Sequence, residues 1–261
     1  MTAVANSRGI VAIPARRAST RLPDKLLLAR TGKPLLHHVI ERCRDAVAMS
    51  QGRLVDVLVA CDDERLKKVA LQAGVRAIMT GAHHTCGTTR IAEAIGYLPD
   101  SLQFDFVVNV QGDEPELAPE AILAVAETLL EDRATPMATL AVPMPTGSEN
   151  MKDNPNAVKV VVDAHGRAMY FSRASVPYDR NDCDDGESLW RHHLGIYAYR
   201  KDFLLEFARM PASALERREG LEQLRALEAG AVIRCGSVPA AWAAKGVDTE
   251  EDYAAFVSRA G

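Results

Sequence analysis

The sequence predicts an α/β protein, a three-layer α/β/α sandwich built on a doubly wound, mostly parallel sheet. Two observations predict this fold. Short apolar runs rich in β-branched residues alternate with stretches of about ten to fifteen residues whose apolar side chains recur at helical spacing. Charged or polar residues directly follow several of these runs, as is typical of parallel strands that end at a binding site. With 261 residues, 48% of them hydrophobic, the chain can bury one large core, or one core with a subsidiary lobe.

The first predicted strand, residues 10–13, leads into a cationic loop. This loop contains only one acid, Asp24, among four cations, which are Arg16, Arg17, Arg21 and Lys25. It lacks G-x-x-x-x-G-K-[ST] and G-x-G-x-x-G, so it is neither a P-loop nor a dinucleotide-binding fingerprint. We therefore expect side-chain cations, in place of glycine amides, to bind phosphate at this edge of the sheet. The alternative is a solvated basic loop.

Strand–helix units follow this loop in order. A helix is predicted to begin near Lys33 and Pro34, because proline suits a first helical turn. The next predicted strands cover residues 54–61, 77–79 and 104–110. The helices that follow them cover residues 64–73, a stretch that ends near Tyr97, and residues 119–130. This alternation predicts parallel βαβ units.

The pattern changes after about residue 150. Short β-rich runs predict antiparallel strands of an inserted lobe, at residues 158–162, 168–172 and 193–199. This lobe is expected either to cover the site or to pair with another subunit. One helix is then predicted over residues 213–228, a strand over 232–238, and a final helix that begins at 248–251. The whole chain is predicted to be one domain, with a first half to about 150, a lobe over about 151–230 and a C-terminal return over about 231–261.

Composition and charge exclude several classes of protein. The net charge of -4 and the pI near 6.0 argue against a general nucleic-acid or membrane-surface binder, since both need a broad positive field. No apolar stretch approaches the roughly 18 residues that a membrane helix needs, and residues 1–8 are not a signal peptide. The cysteines are odd in number and scattered, so we expect no disulfide framework and no zinc cluster; they are Cys43, Cys61, Cys86, Cys183 and Cys235. A soluble protein of the reducing cytoplasm is expected.

Two aspartates are candidate ligands for a divalent metal. Asp113 follows the predicted strand 104–110, and Gly112 gives the backbone room to turn there. Asp248 lies at the start of the final helix. Carboxylates at loop edges that face a phosphate-binding loop suit a Mg²⁺ ion that offsets charge in phosphoryl or nucleotidyl transfer. The alternatives are an Asx turn or helix cap for Asp113 and a helix N-cap for Asp248.

Histidine doublets and two arginines are further candidates. Neighbouring residues in a strand point to opposite faces, so we expect neither doublet, residues 83–84 or 192–193, to chelate one metal. One imidazole of each doublet is expected to face the cleft. Arg90 and Arg173 are each candidates to hold a carboxylate bidentately, with an ordinary surface arginine as the alternative.

Seven sequence blocks together resemble the 3-deoxy-manno-octulosonate (Kdo) cytidylyltransferases. They include Ile-Pro-Ala-Arg-Arg-Ala-Ser-Thr-Arg-Leu-Pro-Asp-Lys at 13–25 and Asn-Val-Gln-Gly-Asp-Glu-Pro at 109–115. The other blocks lie at 154–160, 170–174, 191–200, 221–225 and 246–249. All occur in family order and span nearly the whole chain. The resemblance implies a nucleotidyltransferase, GT-A-like fold with a smaller β-rich inserted lobe, so that the first half binds nucleotide and the lobe serves sugar binding and dimerisation.

The same resemblance implies a Mg²⁺-dependent reaction in which CTP and Kdo give CMP-Kdo and pyrophosphate, for lipopolysaccharide or capsule. By matching position, Arg16 and Lys25 would hold the CTP phosphates with help from Arg21, and Asp113 and Asp248 would bind Mg²⁺. The nucleoside loop would contain Cys86, Gly87 and Thr88, and Arg90 would help to bind substrate. The sugar pocket would be lined by Gln111, Arg173, His193, Tyr197, Glu222 and Gln223. A homodimer is also implied.

The chain departs from the family pattern at several positions. Cys86 and Thr89 stand where the family usually has a serine and an acid, which makes cytosine recognition by this loop less secure, since a thiol is a weak hydrogen-bonding group. Asp24 and Leu26 stand where glycine and proline are common. Lys245 is expected near Asp248, where it either modifies the metal site or is solvated.

Three alternatives to a Kdo cytidylyltransferase remain open from the sequence. A cytidylyltransferase for a related acid, such as 8-amino-Kdo, a sialic acid or a pseudaminic acid, differs by as little as one hydrogen-bonding partner. A metal-dependent glycosyltransferase is expected to have an Asp-x-Asp pair, whereas Glu114 and Pro115 follow Asp113 here. A nucleotide sensor would bind CTP without turnover.

Overall fold

The computed structural model describes residues 7–144, 149–180, 190–243 and 245–260. Cys183 lies outside the described residues. The chain divides into two compact units, residues 1–123 with 244–261 and residues 124–243. This division differs from the boundaries expected near residues 150 and 230. The second unit is larger than the expected lobe because a strand before residue 150, which the sequence analysis did not identify, pairs with the strand after residue 230.

The first unit is built on parallel strands in the order β3-β2-β1-β4. The strands are β1 (Gly9–Ala15), β2 (Leu54–Cys61), β3 (Arg76–Met79) and β4 (Phe106–Asn109). The helices that follow them are α1 (Leu35–Met49), α2 (Glu64–Gln72), α3 (Gly87–Gly96) and α4 (Pro119–Leu130), within which the first unit ends. Every predicted element of this half is present, with small differences at the ends.

The winding of this sheet reverses between β1 and β4. The chain passes from β1 to β2 and β3 on one side, and it then returns to β4 on the other side of β1. Because βαβ connections are right-handed, α1 and α2 cover one face of the sheet and α3 covers the other. Residues 10–13 of β1 are accordingly fully buried. The three-layer, doubly wound fold predicted for this region is confirmed, and its reversal point is where such sheets bind ligands.

The second unit is rich in antiparallel strands. Its strands are β5 (Met137–Pro143), β6 (Lys159–Val162), β7 (Ala168–Ser172), β8 (Arg191–Arg200) and β9 (Ile233–Ser237). The strand β5 is antiparallel to β8 and parallel to β9, while β6 is antiparallel to both β7 and β8. Short helices complete the unit, namely α5 (Glu149–Lys152), α6 (Lys201–Phe207), α7 (Ala214–Glu219) and α8 (Gln223–Glu228). The antiparallel lobe strands expected from the sequence are confirmed.

The single helix expected over residues 213–228 is wrong, because the structure has two helices there. Ser213 and Glu216 form a capping box at the start of α7. Gly220 ends α7 in the left-handed conformation, with φ of 63°. A left-handed residue cannot continue a helix, and glycine adopts this conformation without steric cost. The chain therefore turns at Gly220 before α8 begins.

The last helix, α9 (Glu250–Ala260), belongs to the first unit. Its buried Tyr253 accepts a hydrogen bond from the Arg30 amide at 2.8 Å. This contact fixes the helix beside the segment that leads from the cationic loop to α1. Of the described helices, none has both the length and the apolar character needed to cross a membrane.

We expect Gly220→Ala to lower the free energy of unfolding by about 1 to 2 kcal/mol, because alanine meets a steric penalty in the left-handed conformation. Gly96→Ala is the matched control. Gly96 lies in the last turn of α3, and a Cβ there meets nothing within 4 Å. The control should raise the free energy of unfolding by about 0.5 kcal/mol. Denaturant unfolding measures both, and equal effects of the two substitutions would contradict the interpretation.

Candidate active site

A cavity of about 350 Å³ lies at the carboxyl ends of β1 and β4, where the winding of the first unit reverses. Its walls come from the cationic loop, from residues 84–87 and Arg90 at the start of α3, from residues 111–113 and from Asp248. All of these residues belong to the first unit. The predicted phosphate loop and both candidate metal ligands therefore line one cavity.

Lys25 joins the two candidate metal ligands. Its ammonium Nζ donates to Asp113 Oδ2 at 2.7 Å and to Asp248 Oδ1 at 3.0 Å. The Lys25 side chain is only 9% exposed, while Asp113 and Asp248 are 32% and 40% exposed. Arg21 Nη2 adds a second cation, 3.0 Å from Asp248 Oδ2. Because solvent screens Lys25 poorly, its attraction to both carboxylates is stronger than that of a surface ion pair.

The backbone before Lys25 is left-handed. Asp24 has φ of 51° and leads directly into a 3₁₀ helix, Lys25–Leu27. Aspartate is among the few non-glycine residues that adopt this conformation readily, so it can occupy this turn. The resulting turn buries Lys25 and Leu26 and directs the ammonium group to the cavity.

Two local contacts bring Asp248 to Asp113. The Val247 amide donates to the Asp113 carbonyl oxygen at 2.8 Å, which ties the C-terminal segment to the loop after β4. The next residue, Thr249, caps α9: its Oγ1 accepts from the Asp252 amide at 3.2 Å, and the Asp252 carboxylate accepts from the Thr249 amide at 3.1 Å. Because Thr249 is the cap, the Asp248 carboxylate remains available to Lys25 and Arg21. The alternative interpretation of Asp248, as the N-cap of the final helix, is therefore wrong.

Lys245 is largely solvated, with 79% of its side chain exposed, as one of the two alternatives from the sequence expected. Its Nζ pairs with Asp252 Oδ1 at 2.6 Å, so it contacts the capping carboxylate and not Asp248. The hydrogen bond from Lys245 lowers the pKa of Asp252 to about 2. The interaction keeps the Asp252 carboxylate charged, and the Asp248 carboxylate faces the cavity.

Glycines allow the elements around the cavity to approach closely. A Cβ at Gly112 would lie 3.0 Å from the Pro14 carbonyl oxygen, and one at Gly87 would lie 2.9 Å from Pro14 Cγ. The loop after β4 and the start of α3 both rest against the end of β1 at these positions. A larger residue at Gly112 would push Asp113 away from Lys25, since the neighbouring atom is backbone.

The arginines of the cationic loop divide into two groups. Arg16 and Arg21 line the cavity and are exposed. Within the described residues, Arg16 has no ion pair. Arg17 instead points away: its Nε lies 2.9 Å from Asp24 Oδ1 and 3.6 Å from Asp63 Oδ2. The loop therefore presents Arg16, Arg21 and Lys25 to the cavity.

Arg90 is not a surface arginine. It is 3% exposed and lines the cavity, while its Nη2 donates to Asp62 Oδ2 at 2.9 Å and its Nη1 to Thr80 Oγ1 at 2.8 Å. Asp62 also accepts from the Arg17 amide at 2.9 Å. Asp62 was not predicted from the sequence as a site residue, although its place directly after β2 was a signal. Its carboxylate holds Arg90 and the cationic loop together.

The predicted nucleoside loop forms the cavity wall at the start of α3. Cys86 and Gly87 line the cavity, and Thr88 is buried beside them. The thiol of Cys86 does not cap α3; its Sγ lies 3.4 Å from Thr89 Oγ1. Gln111, expected in the sugar pocket, also lines this cavity and donates to the Asn109 side chain at 3.4 Å.

Arg173 is held by backbone oxygens of the second unit. Its Nε donates to the Glu219 carbonyl at 2.7 Å and its Nη1 to the Pro155 carbonyl at 2.9 Å. The Glu219 carboxylate accepts from the Arg173 amide at 2.9 Å and from the Ser172 hydroxyl at 2.7 Å. In the described parts of the chain, no carboxylate pairs with the Arg173 guanidinium. Glu219, which no sequence signal indicated, fixes the end of β7 to the turn between α7 and α8.

Glu222 and Gln223 begin the helix after that turn. Glu222 Oε1 lies 3.6 Å from Arg225 Nη2. Gln223 is 3% exposed, and its buried Nε2 has no hydrogen-bond partner within the described residues. A buried amide without a partner is costly, so this nitrogen is a natural place for a ligand oxygen.

His193 and Tyr197 lie on β8, where their rings are 5.5 Å apart. The hydroxyl of buried Thr139 donates to the Ile196 carbonyl at 2.8 Å and accepts from His193 Nε2 at 2.9 Å. Burial lowers the pKa of His193 to about 3, so the imidazole is neutral. His193 is buried and His192 is half-buried, as expected for neighbours on a strand.

Asp113 and Asp248 fit a magnesium ion. Both supply carboxylate oxygens, the ligands that Mg²⁺ prefers, and both already face one cation, the Lys25 ammonium. The neighbouring Glu114 carboxyl has its pKa raised to about 8 by burial and by Asp113. Glu114 therefore adds little negative charge beside Asp113 at neutral pH.

Comparisons with known proteins show which family this chain is similar to. A family model described as Cytidylyltransferase matches residues 10–233. A 3-deoxy-manno-octulosonate cytidylyltransferase of Thioalkalivibrio sulfidiphilus is 48% identical over 249 residues, which cover 93% of this chain and 94% of that protein. The corresponding protein of Idiomarina loihiensis is 45% identical over 248 residues, with 93% and 94% covered. The solved structure of a CMP:2-keto-3-deoxy-manno-octonic acid synthetase complexed with CTP has a TM-score of 0.84 and 37% identity, and it covers 97% of this chain and 98% of that chain. This likeness confirms the nucleotidyltransferase-like α/β fold.

Acid should destabilise the second unit through His193. An unfolded histidine takes up a proton near pH 6.5, whereas buried His193 does so only at about pH 3. Between these values the unfolded chain binds more protons, so the free energy of unfolding falls as the pH falls, by about 1.4 kcal/mol per pH unit for this group. His193→Gln should show a correspondingly shallower slope in denaturant unfolding between about pH 6 and pH 4. Equal slopes would contradict a neutral, buried His193.

Proposed function

The chain belongs to the 3-deoxy-manno-octulosonate cytidylyltransferase family, and we propose that it transfers CMP from CTP to the anomeric hydroxyl of Kdo. The anomeric oxygen attacks the α-phosphorus, the bond to the β-phosphate breaks, and pyrophosphate leaves. One observation supports this proposal most: Lys25, Asp113 and Asp248 meet at the wall of a cavity that Arg16 and Arg21 also line.

The cations of the first unit would bind the triphosphate. Arg16 has its guanidinium available, and Arg21 and Lys25 are oriented toward the cavity by carboxylates. Cations fixed in place before the reaction stabilise charge that develops on the leaving pyrophosphate without reorganising. Arg90, buried and fixed by Asp62, would lie beneath the nucleoside instead of clamping a free carboxylate.

We propose that Asp113 and Asp248 bind Mg²⁺. A divalent ion bound there would neutralise phosphate oxygens and polarise the α-phosphate. Asp113 is held by the Val247 amide through its carbonyl oxygen, and Asp248 is released from capping by Thr249. The chain itself thus keeps both carboxylates directed to one point.

The second unit would bind the sugar acid. Arg173, which has no carboxylate partner within the described ranges, suits the carboxylate of Kdo. Gln223 Nε2, buried without a partner there, suits a sugar hydroxyl. The family resemblance assigns Glu222 and Tyr197 to the same pocket. His193 is neutral and bonded to Thr139, so it would act as a hydrogen-bonding group and not as a charge. A homodimer and a cytoplasmic location stay predictions.

Pyrophosphate release should require CTP, Kdo and Mg²⁺ together. The assay should compare the four nucleoside triphosphates and a panel of Kdo, 8-amino-Kdo, a sialic acid and a pseudaminic acid, with product masses determined. Pyrophosphate release with another sugar acid but not with Kdo would overturn the assignment of Kdo as the substrate. CTP binding without any product would indicate a sensor, and transfer from CMP-Kdo would indicate a glycosyltransferase.

Asp113→Asn and Asp248→Asn should each lower kcat by at least about 100-fold, because each removes a charged metal ligand. Asparagine still accepts a hydrogen bond from Lys25 and the other aspartate still pairs with it, so each variant should remain folded, as circular dichroism would check. Asp56→Asn is the matched control, since Asp56 pairs with Arg76 at 3.0 Å outside the cavity. Near-normal turnover in both site variants would show that the metal assignment is wrong. The substrate assignment would not be affected, because the pyrophosphate-release assay tests it separately.

A further inference from the structure

Three side chains of the kinds that bind metals, His83, His84 and Glu93, meet beside the cavity, just before and within α3. One ring nitrogen each of His83 and His84 and a carboxylate oxygen of Glu93 lie within 4.8 Å of one another. His84 Nε2 contacts Glu93 Oε2 directly. The rings of His83 and His84 are 4.3 Å apart and tilted by 35°. The expectation that this doublet points to opposite faces is wrong, because residues 82–83 form a turn and not a strand.

Gly81 supports two members of this group. A Cβ at Gly81 would lie 2.3 Å from Cε1 and Nδ1 of His83, so the imidazole rests on a backbone that has no side chain. The Gly81 amide also donates to both carboxylate oxygens of Glu93, at 3.2 Å each. One backbone position therefore seats His83 and orients Glu93.

Thr89 sets which nitrogen of His84 is available. Its hydroxyl can donate to the Cys86 carbonyl at 3.2 Å, and it then accepts from His84 Nδ1, 3.0 Å away, in the tautomer that carries the proton on Nδ1. In that tautomer, the lone pair of Nε2 faces the Glu93 carboxylate, and the two atoms can share a bound cation. Histidines that bind metals usually donate their second N–H to a neighbouring oxygen, which is the role of Thr89 here.

The donor set indicates the class of ion. Two imidazoles and one carboxylate suit a divalent transition ion such as Zn²⁺, whereas the all-oxygen pair Asp113 and Asp248 suits Mg²⁺. Ligand atoms on tetrahedral zinc lie about 3.3 Å apart, so the most distant donors need to close by about 1.5 Å, while the directly contacting His84 Nε2 and Glu93 Oε2 need to separate. His83 is exposed and can turn to make this movement.

We propose that His83, His84 and Glu93 form a second metal site, for a zinc-class divalent ion whose fourth position is open to water. The site is independent of the proposed function, because His83 and Glu93 do not line the cavity. It lies next to the cavity, however, because His84 and Thr85 line the cavity wall. An ion bound there would fix the turn that carries both residues to the cavity wall.

Metal-free, full-length protein should be titrated with Zn²⁺ by calorimetry and with Co²⁺ by visible absorption, without nucleotide. We expect one equivalent of each ion to bind, and Co²⁺ to give the intense band of a tetrahedral site. His83→Gln should weaken Zn²⁺ binding by at least about 10-fold without lowering the unfolding temperature of the metal-free protein, because His83 is exposed. Gly81→Ala, which displaces the His83 ring, should weaken binding as well.

Three controls separate this site from others. His165→Gln removes an exposed turn histidine of the second unit, Cys86→Ser removes the nearest thiol, and Asp113→Asn removes a ligand of the magnesium pair; each should leave Zn²⁺ affinity within about 2-fold. The proposal is overturned if no Zn²⁺ binds below about 100 μM, if His83→Gln binds it normally, or if Asp113→Asn abolishes binding.

Discussion

The position of the buried Lys25 ammonium group determines which side chains meet in the candidate active site. Lys25 Nζ lies between Asp113 and Asp248, with only 9% of its side chain exposed. A buried cation needs anionic partners, and two carboxylates that both lie within 3.0 Å of Lys25 Nζ need a cation between them. The lysine and the two aspartates therefore hold one another in place. The same pair of carboxylates suits a divalent ion, and the arginines beside them suit phosphate. Charge balance in this small volume therefore links the fold to nucleotidyl transfer.

The fold meets this constraint at the reversal point of a doubly wound sheet. Loops after β1 and β4 end side by side there, so Lys25 and Asp113 are neighbours by topology. Asp248 comes from a distant part of the chain, and it arrives because the Val247 amide binds the Asp113 carbonyl and Thr249 takes over the helix cap. Gly112 lets the loops pack closely enough for these contacts.

Much of the first unit was predictable from the sequence, and much of the site chemistry was not. The helix 119–130 was predicted at both ends, because proline marks its start and apolar periodicity marks its length. The strand Met137–Pro143 was missed: two alanines and a proline weaken its β propensity, and it is buried almost throughout, so it shows no alternation. The break at Gly220 depends on a left-handed φ that composition does not reveal. Asp248 was predicted as a partner of Asp113 from its place at a loop edge and from the family resemblance, but the backbone hydrogen bond that brings it there leaves no pattern in the sequence. The pairing of His83 with His84 depends likewise on a turn.

The most direct test of this account is a double-mutant cycle on Mg²⁺–CTP affinity, with Asp113→Asn, Asp248→Asn and the double variant measured by calorimetry. If both carboxylates act on one ion and one triphosphate, the double variant should lose little more affinity than the weaker-binding single variant. Fully additive losses would mean that the two aspartates act at separate places, and the proposed centre around Lys25 would be wrong.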